Sequence, residues 1–257
     1  TVVSENTAEG TVSVSSLTFT PANWDVPQIV TITGVDDHSD DGSQTFNITF
    51  AVDDASSDDA FDAVSNKTIA VTNGDNDVAG ITVTPVSAIT DETGGTASFT
   101  IVLNTKPSAD VRINLSSDNT NEGTIAVSDV VFTSANWNSP QTITITGVDD
   151  NVIDGNVPYS IITAAAISID LNYNNINTTD VSVVNNDDDV AGFTLSKTAA
   201  LTSESGSSDN VSIVLNAQPA SDVVIAISSD DASEGTVTPL THTFTPENWN
   251  TPQSFAV

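Results

Sequence analysis

Three observations predict an all-β chain of tandem immunoglobulin-like β-sandwiches, with about 112 residues per repeat. Val, Ile, Leu and Phe fall in short alternating runs, the period of a half-buried strand, and no long helical period occurs. Thr, Ser, Asn, Asp and Val dominate, as strands joined by turns require. The third observation is internal repetition. NWDVPQ at Asn23 to Gln28 returns as NWNSPQ at Asn136 to Gln141 and as NWNTPQ at Asn248 to Gln253. Trp24 to Trp137 is 113 residues and Trp137 to Trp249 is 112. Glu9-Gly10-Thr11 recurs at the same offsets as Glu122-Gly123-Thr124 and Glu234-Gly235-Thr236, and TITGVDD ends at both Asp37 and Asp150.

These offsets divide the chain into a partial repeat at 1–77, a complete one at 78–189 and a partial one at 190–257. The complete repeat predicts strands at Gly80 to Val86, Ala97 to Leu103, Val111 to Ser116, Gly123 to Val127 with Val130 to Thr133, Gln141 to Gly147, Val157 to Thr163, and Val181 to Asn185. Seven strands in that length fit an immunoglobulin-like sandwich. Alternation assigns Phe99, Ile101, Leu103, Val111, Ile113, Leu115, Ile143, Ile145, Tyr159 and Ile161 to its core. Asp187-Asp188-Asp189 runs directly into Val190, so successive repeats should be closely coupled. Thr1 aligns with Asn114 and Val257 with Ile145, so the outer repeats lack opening and closing strands respectively. That truncation, with no initiator Met, reads as a window on a longer polypeptide, or as repeats completed by strand exchange between chains.

The chain has 257 residues, with 35 acidic against 4 basic side chains and a formal charge of −31. Such a field opposes compaction by self-repulsion, which bound cations would relieve, and makes nucleic acid and anionic membranes poor partners. The absence of cysteine excludes disulfides, thiol catalysis and thiolate metal sites. No apolar stretch is long enough for membrane insertion.

The stretch QTITITGVDDNVIDG, Gln141 to Gly155, is a strand that ends in acid. Asp149, Asp150 and Asp154 follow it at once, and Gly147 and Gly155 let the backbone turn around them. Three carboxylates on so short a turn repel one another unless a cation sits between them, and hard oxygen ligands suit calcium. An EF-hand is not the device, because Asp37, Ser39, Asp41 and Gly42 imitate its start while Ile48 stands at its twelfth position.

The elements TDETGG, SSDNTNEGT, FTSANWNSPQTITITGVDDNVIDG, SIDLNY and VSVVNNDDD, in this order and spacing, resemble the Calx-beta family, calcium-binding β-sandwiches that recur in large bacterial surface and secreted proteins. The resemblance covers essentially the whole chain. It implies calcium ligands at Glu92, Asp118, Asp149, Asp150, Asp154, Asp187, Asp188 and Asp189 in the middle repeat. It implies Glu5, Asp36, Asp37, Asp41, Asp75 and Asp77 in the first repeat, and Glu204 and Asp230 in the third. The sequence departs from strict repetition where Glu5 stands for Asp118, Asn76 for Asp188 and Ser203 for Asp91. Acid after the paired aspartates is thinned to Asp154, which points to two ions or one rather than a larger cluster.

The remaining candidates read more plainly. The three tryptophans recur in every copy, which favours packing anchors over sugar platforms. Asp58 and Asp170 read as turn residues rather than outer cation ligands, and His38 and His242, at non-equivalent positions, as surface imidazoles. No histidine, lysine or cysteine recurs beside a serine or threonine to activate it, so no enzyme is expected. The composite expectation is a calcium-binding spacer or stalk of an extracellular bacterial adhesin or surface filament. Its partners are neighbouring repeats or other copies of the chain. The alternatives are a self-assembling subunit and a module that binds glycan or protein.

Overall fold

The computed structural model describes residues 1–257. The chain is all-β: nineteen strands and a single 3-10 turn, Asp59–Phe61. In the middle of the chain, β6 (Ile81–Thr84), β8 (Thr96–Leu103), β10 (Gly123–Ile125) and β12 (Gln141–Gly147) form one sheet, ordered β10-β12-β8-β6. The facing sheet is ordered β11-β9-β13-β14-β7, from β7 (Ser87–Asp91), β9 (Val111–Ser117), β11 (Asp129–Phe132), β13 (Val157–Thr163) and β14 (Val181–Asn186). Inward residues of both sheets meet in one cluster of 17 buried apolar side chains. All ten residues that alternation assigns to the core belong to it.

Two features depart from the strands expected. The opening segment is two strands, not one: β6 pairs antiparallel with β8, and after Pro85 the chain crosses to the other sheet, where β7 pairs parallel with β14. Proline lacks the N–H that would continue the first ladder. The stretch from Gly123 to Phe132 likewise splits, β10 joining β12 and β11 joining β9.

Two smaller clusters flank this core. Val2, Phe46 and Ile48 pack between the sheets formed by β1 (Val2–Ser4), β4 (Gln44–Phe50) and β5 (Lys67–Asn73) and by β2 (Gly10–Val12) and β3 (Ile32–Gly34). Ile213, Leu215 and Phe244 do so between β15 (Phe193–Leu195), β16 (Asn210–Leu215) and β19 (Gln253–Ala256) and the pair β17 (Val223–Ala226) and β18 (Thr241–Phe244).

The NW..PQ motif clamps the loop that enters β12 and its counterpart β19. Asn136 Oδ1 accepts the Thr133 N–H at 2.6 Å, and Gln141 Nε2 donates to the Val131 carbonyl at 2.9 Å. Asn248 and Gln253 repeat both bonds with Thr245 and Thr243, at 2.6 and 2.8 Å. Trp137 and Trp249 pack on their cores, each carbonyl accepting from the strand it faces, Leu103 or Leu215. Trp24, read with the other two as a packing anchor, is instead 72% exposed. In the SIDLNY turn, Asp170 accepts the Ser108 and Asn172 N–H groups at 2.7 and 3.0 Å, and the buried Tyr173 hydroxyl donates to the Thr105 carbonyl at 2.7 Å.

Ile145 is completely buried between the two middle sheets, so Ile145→Ala removes buried methyl groups and leaves a cavity. The expected loss is about 2 to 5 kcal/mol of middle-unit stability by urea unfolding, whereas the same change at Ile29, which lies open to solvent, shifts it by less than about 0.5 kcal/mol.

Candidate metal centre

One end of the middle sandwich collects acid because of how four strands are laid. β12 ends at Gly147 and releases the turn carrying Asp149, Asp150 and Asp154. β7 and β14 run parallel, with Asp91 opposite Asn186, so Glu92 emerges beside Asp187 to Asp189. β10 starts at that end too, directly after Glu122, and pairs Gly123 with Gly147. The parallel strand that sequence patterning does not resolve is what delivers Glu92.

Two three-carboxylate groups result, each with donor oxygens within 4.8 Å of one another: Glu92, Asp187 and Asp189, and Glu122, Asp150 and Asp154. The first repeat builds Glu9, Asp37 and Asp41, the position-by-position counterpart of the second of these, and a further group of Asp36, His38 and Asp77. The acids of both groups line a concavity of about 190 Å³.

The scaffolding repeats as faithfully as the acids. Asn185 Nδ2 donates to the Val148 carbonyl at 3.0 Å and to Glu122 Oε2 at 3.4 Å; Asn73 does the same for Val35 and Glu9, at 2.8 and 3.2 Å. Gly155 and Gly42 turn with φ of +75° and +73°, a conformation natural to glycine. Their N–H groups donate to Asp187 and Asp75 at 2.8 and 2.7 Å. Gly123 and Gly10 lie under the rings of Tyr159 and Phe46, where a Cβ would collide. At Gly10 and Gly123 that contact accounts for the glycine of the EGT triplet, which admits the ring directly after the glutamate of a carboxylate group, whereas a Cβ at Gly235 would meet nothing.

Burial and mutual repulsion leave their mark on the carboxyls. Glu92, 2% exposed, is lifted from its ordinary 4.5 to about 7, first by burial and further by Asp150, Asp187 and Asp154. Glu122 is raised by burial, with Asp154 and Asp150 adding to it. Asp189 is raised by burial and then by Asp187, Asp188 and Asp150. Asp150, a member of the second group, thus adds to the raising of Glu92 and Asp189 in the first. Asp189 Oδ2 is buried there without any hydrogen-bond partner. An orphaned carboxylate oxygen facing other carboxylates fits a cation as its missing partner, and an all-oxygen donor set fits a hard one.

The other expected ligands lie differently. Asp75 sits in the first concavity, held below the usual carboxylate range by the Asp77 and Gly42 N–H groups. Asp118 accepts the Ser160 N–H at 2.7 Å, and its counterpart Glu5 accepts from Thr49 Oγ1 at 2.6 Å and Asn47 Nδ2 at 3.2 Å, so both tie a loop to a strand. Asp149, Asp188, Glu204 and Asp230 belong to none of the four groups. Glu9 and Glu122 do belong to them, although sequence reasoning passes over both. Their signal is present in the recurring EGT. His38, read as a surface imidazole, is exposed yet sits in a group.

The acidic turns also touch the next unit along the chain. The Lys106 N–H donates to the His38 carbonyl at 2.8 Å, and 112 residues on, the Gln218 N–H donates to the Asn151 carbonyl at 2.7 Å. Val152 bridges Gln218 in parallel fashion, and the Ala79 N–H donates to Asp40 Oδ2 at 2.8 Å.

No protein-family model matches the chain, and no curated protein matches it. Among solved structures it is similar to the periplasmic chaperone SfaE (11% identity, 42% of this chain, 58% of the chaperone, TM-score 0.33). It is also similar to CBD12 from CALX1.2 (13% identity, 69% of this chain, 75% of that chain, TM-score 0.36). Domains 4 and 5 of the S-layer protein SbsC share 19% identity over 70% of this chain and 69% of theirs, at a TM-score of 0.32. Likenesses at this level accompany the all-β architecture and add nothing to the chemistry of the site.

A carboxyl raised by folding favours the folded state at low pH. Its contribution is full below pH 4.5 and is lost as pH rises through about 7. In chelator, the middle unit is therefore expected to lose stability between those pH values. Glu92→Gln is expected to flatten that part of the profile, as read by thermal unfolding across pH.

Proposed function

We propose that this chain is a non-enzymatic, calcium-stiffened stalk segment of an extracellular bacterial adhesin or surface filament, with units at 1–77, 78–189 and 190–257. The observation that carries this reading is one of position. The turn bearing Asp149, Asp150 and Asp154 also contains Asn151, whose carbonyl hydrogen-bonds the following unit, and Asp36 to Asp41 stands in the same relation to Lys106. Fixing the carboxylates therefore fixes the backbone that holds the neighbour.

Calcium is the ion of choice because the middle site offers only oxygen donors and more negative charge than a strictly octahedral, water-retaining magnesium ion needs. Glu92, Asp187 and Asp189 would hold one ion and Glu122, Asp150 and Asp154 another. Bound cation supplies the positive charge that lets these groups ionise together. Binding to the folded state alone stabilises it by RT ln(1 + [Ca]/Kd), about 2.7 kcal/mol at roughly 100 times Kd. Repeated along an array, the same coupling turns a flexible string into a rod, with neighbouring repeats as the principal partners.

Thermal unfolding and small-angle X-ray scattering of the whole chain, in calcium and in chelator, test the proposal. The expected result is a higher Tm in calcium together with a narrower distribution of maximum dimensions, both diminished in Glu122→Gln and Asp150→Asn. Equal Tm and equal scattering in the two conditions would overturn it.

A further inference from the structure

The two junctions are not chemically alike. At the second, the residue between the paired aspartates and the following unit is Asn151; at the first it is His38. The donor atoms of Asp36, His38 and Asp77 lie within 4.8 Å of one another, with His38 Nδ1 3.9 Å from Asp36 Oδ2. The corresponding middle-unit positions, Asp149, Asn151 and Asp189, have no imidazole to offer.

His38 is also held in place. Its backbone carries a φ of +67°, its carbonyl accepts the Lys106 N–H at 2.8 Å, and its ring lies 6.1 Å from that of Trp137 at an interplanar angle of 47°. Lys106 and Trp137 both belong to the following unit. An imidazole oriented by a neighbouring ring and facing two carboxylates makes a mixed nitrogen and oxygen donor set. Calcium and magnesium gain little from the nitrogen, whereas zinc and its borderline neighbours bind it strongly.

We infer that the first junction holds a transition-metal site, Asp36–His38–Asp77, which takes a zinc-class divalent ion and locks the His38 ring against Trp137 of the next unit. The second junction answers only to hard cations. This inference rests on the reading of the acidic turns as cation sites and assigns one of them a different ion. The three ligands leave the remaining coordination positions to water, as the exposure of His38 and Asp36 permits.

Cobalt(II) is the probe, titrated into the whole chain in saturating calcium. A visible band shifted and intensified relative to the aqua ion reports protein ligation, loss of that shift in His38→Asn reports the nitrogen, and tryptophan fluorescence reports proximity to Trp137. The expected result is a shifted cobalt band together with tryptophan quenching, both reversed when zinc displaces the cobalt. His38→Asn should lower cobalt affinity by about 10-fold or more. Trp137→Phe should retain the absorption while losing most of the quenching. Calcium should stabilise His38→Asn as it does the parent. Cobalt affinity unchanged by His38→Asn, or no cobalt binding while calcium still raises Tm, would overturn the inference alone. Cobalt binding lost in His38→Asn, in a chain that calcium fails to stabilise, would uphold the histidine site and overturn the calcium reading.

Discussion

Mutual repulsion among the carboxylates gathered at one end of the first and middle units is the constraint that the strands, turns and junctions around them have to meet. With a formal charge of −31, the chain could have scattered its acid over open surface. Instead Glu92 and Glu122 are buried beside Asp150, Asp154, Asp187 and Asp189, and Asp189 keeps an oxygen without a partner. Burial and proximity both oppose ionisation there, which is why Glu92 is lifted to about 7. Such an arrangement is unfavourable by itself and becomes favourable when positive charge joins it.

The elements that hold these carboxylates are neutral and repeated. Asn185 and Asn73 brace the two glutamates, Gly155 and Gly42 let a backbone amide reach Asp187 and Asp75, and Tyr159 or Phe46 packs beneath the glycine that follows the glutamate. None of these supporting residues carries charge, so packing and hydrogen bonds from uncharged donors hold the carboxylates in place against their mutual repulsion. The inter-unit bonds from Lys106 and Gln218 land on the same turns. Strand ends, acidic turn and junction are thus one construction. A substitution at Asn185 is expected to reach the neighbour through Glu122 and Val148.

Much of this is legible in the sequence, and the portion that is not has physical reasons. Period-2 alternation identifies the core, because one face of every middle strand is buried and parity then decides which residues go inward. The 112-residue offset exposes the repetition, and the clustering of aspartates points to the end of the sandwich where the carboxylate groups gather. What parity does not reveal is β7, a short strand that pairs parallel with β14, since parallel pairing depends on a partner nearly a hundred residues away. Glu122 and Glu9 escape for a related reason: they precede short strands on separate segments, and only the sheet brings them to the aspartate turn. Asp118 and Glu5 show the converse, acids at repeat-equivalent positions that hydrogen-bond a strand and join no carboxylate group.

Whether a cation completes the carboxylate cluster is read out by calorimetric titration of calcium into the whole chain near pH 6.5, in two buffers of different ionisation enthalpy. With Glu92 raised to about 7, binding should be accompanied by release of up to about one proton per middle unit, and that proton release should be lost in Glu92→Gln. No calcium heat, or heat unchanged by Glu92→Gln and by Asp150→Asn, would contradict a cation-completed site and leave the acidic ends as solvated surface.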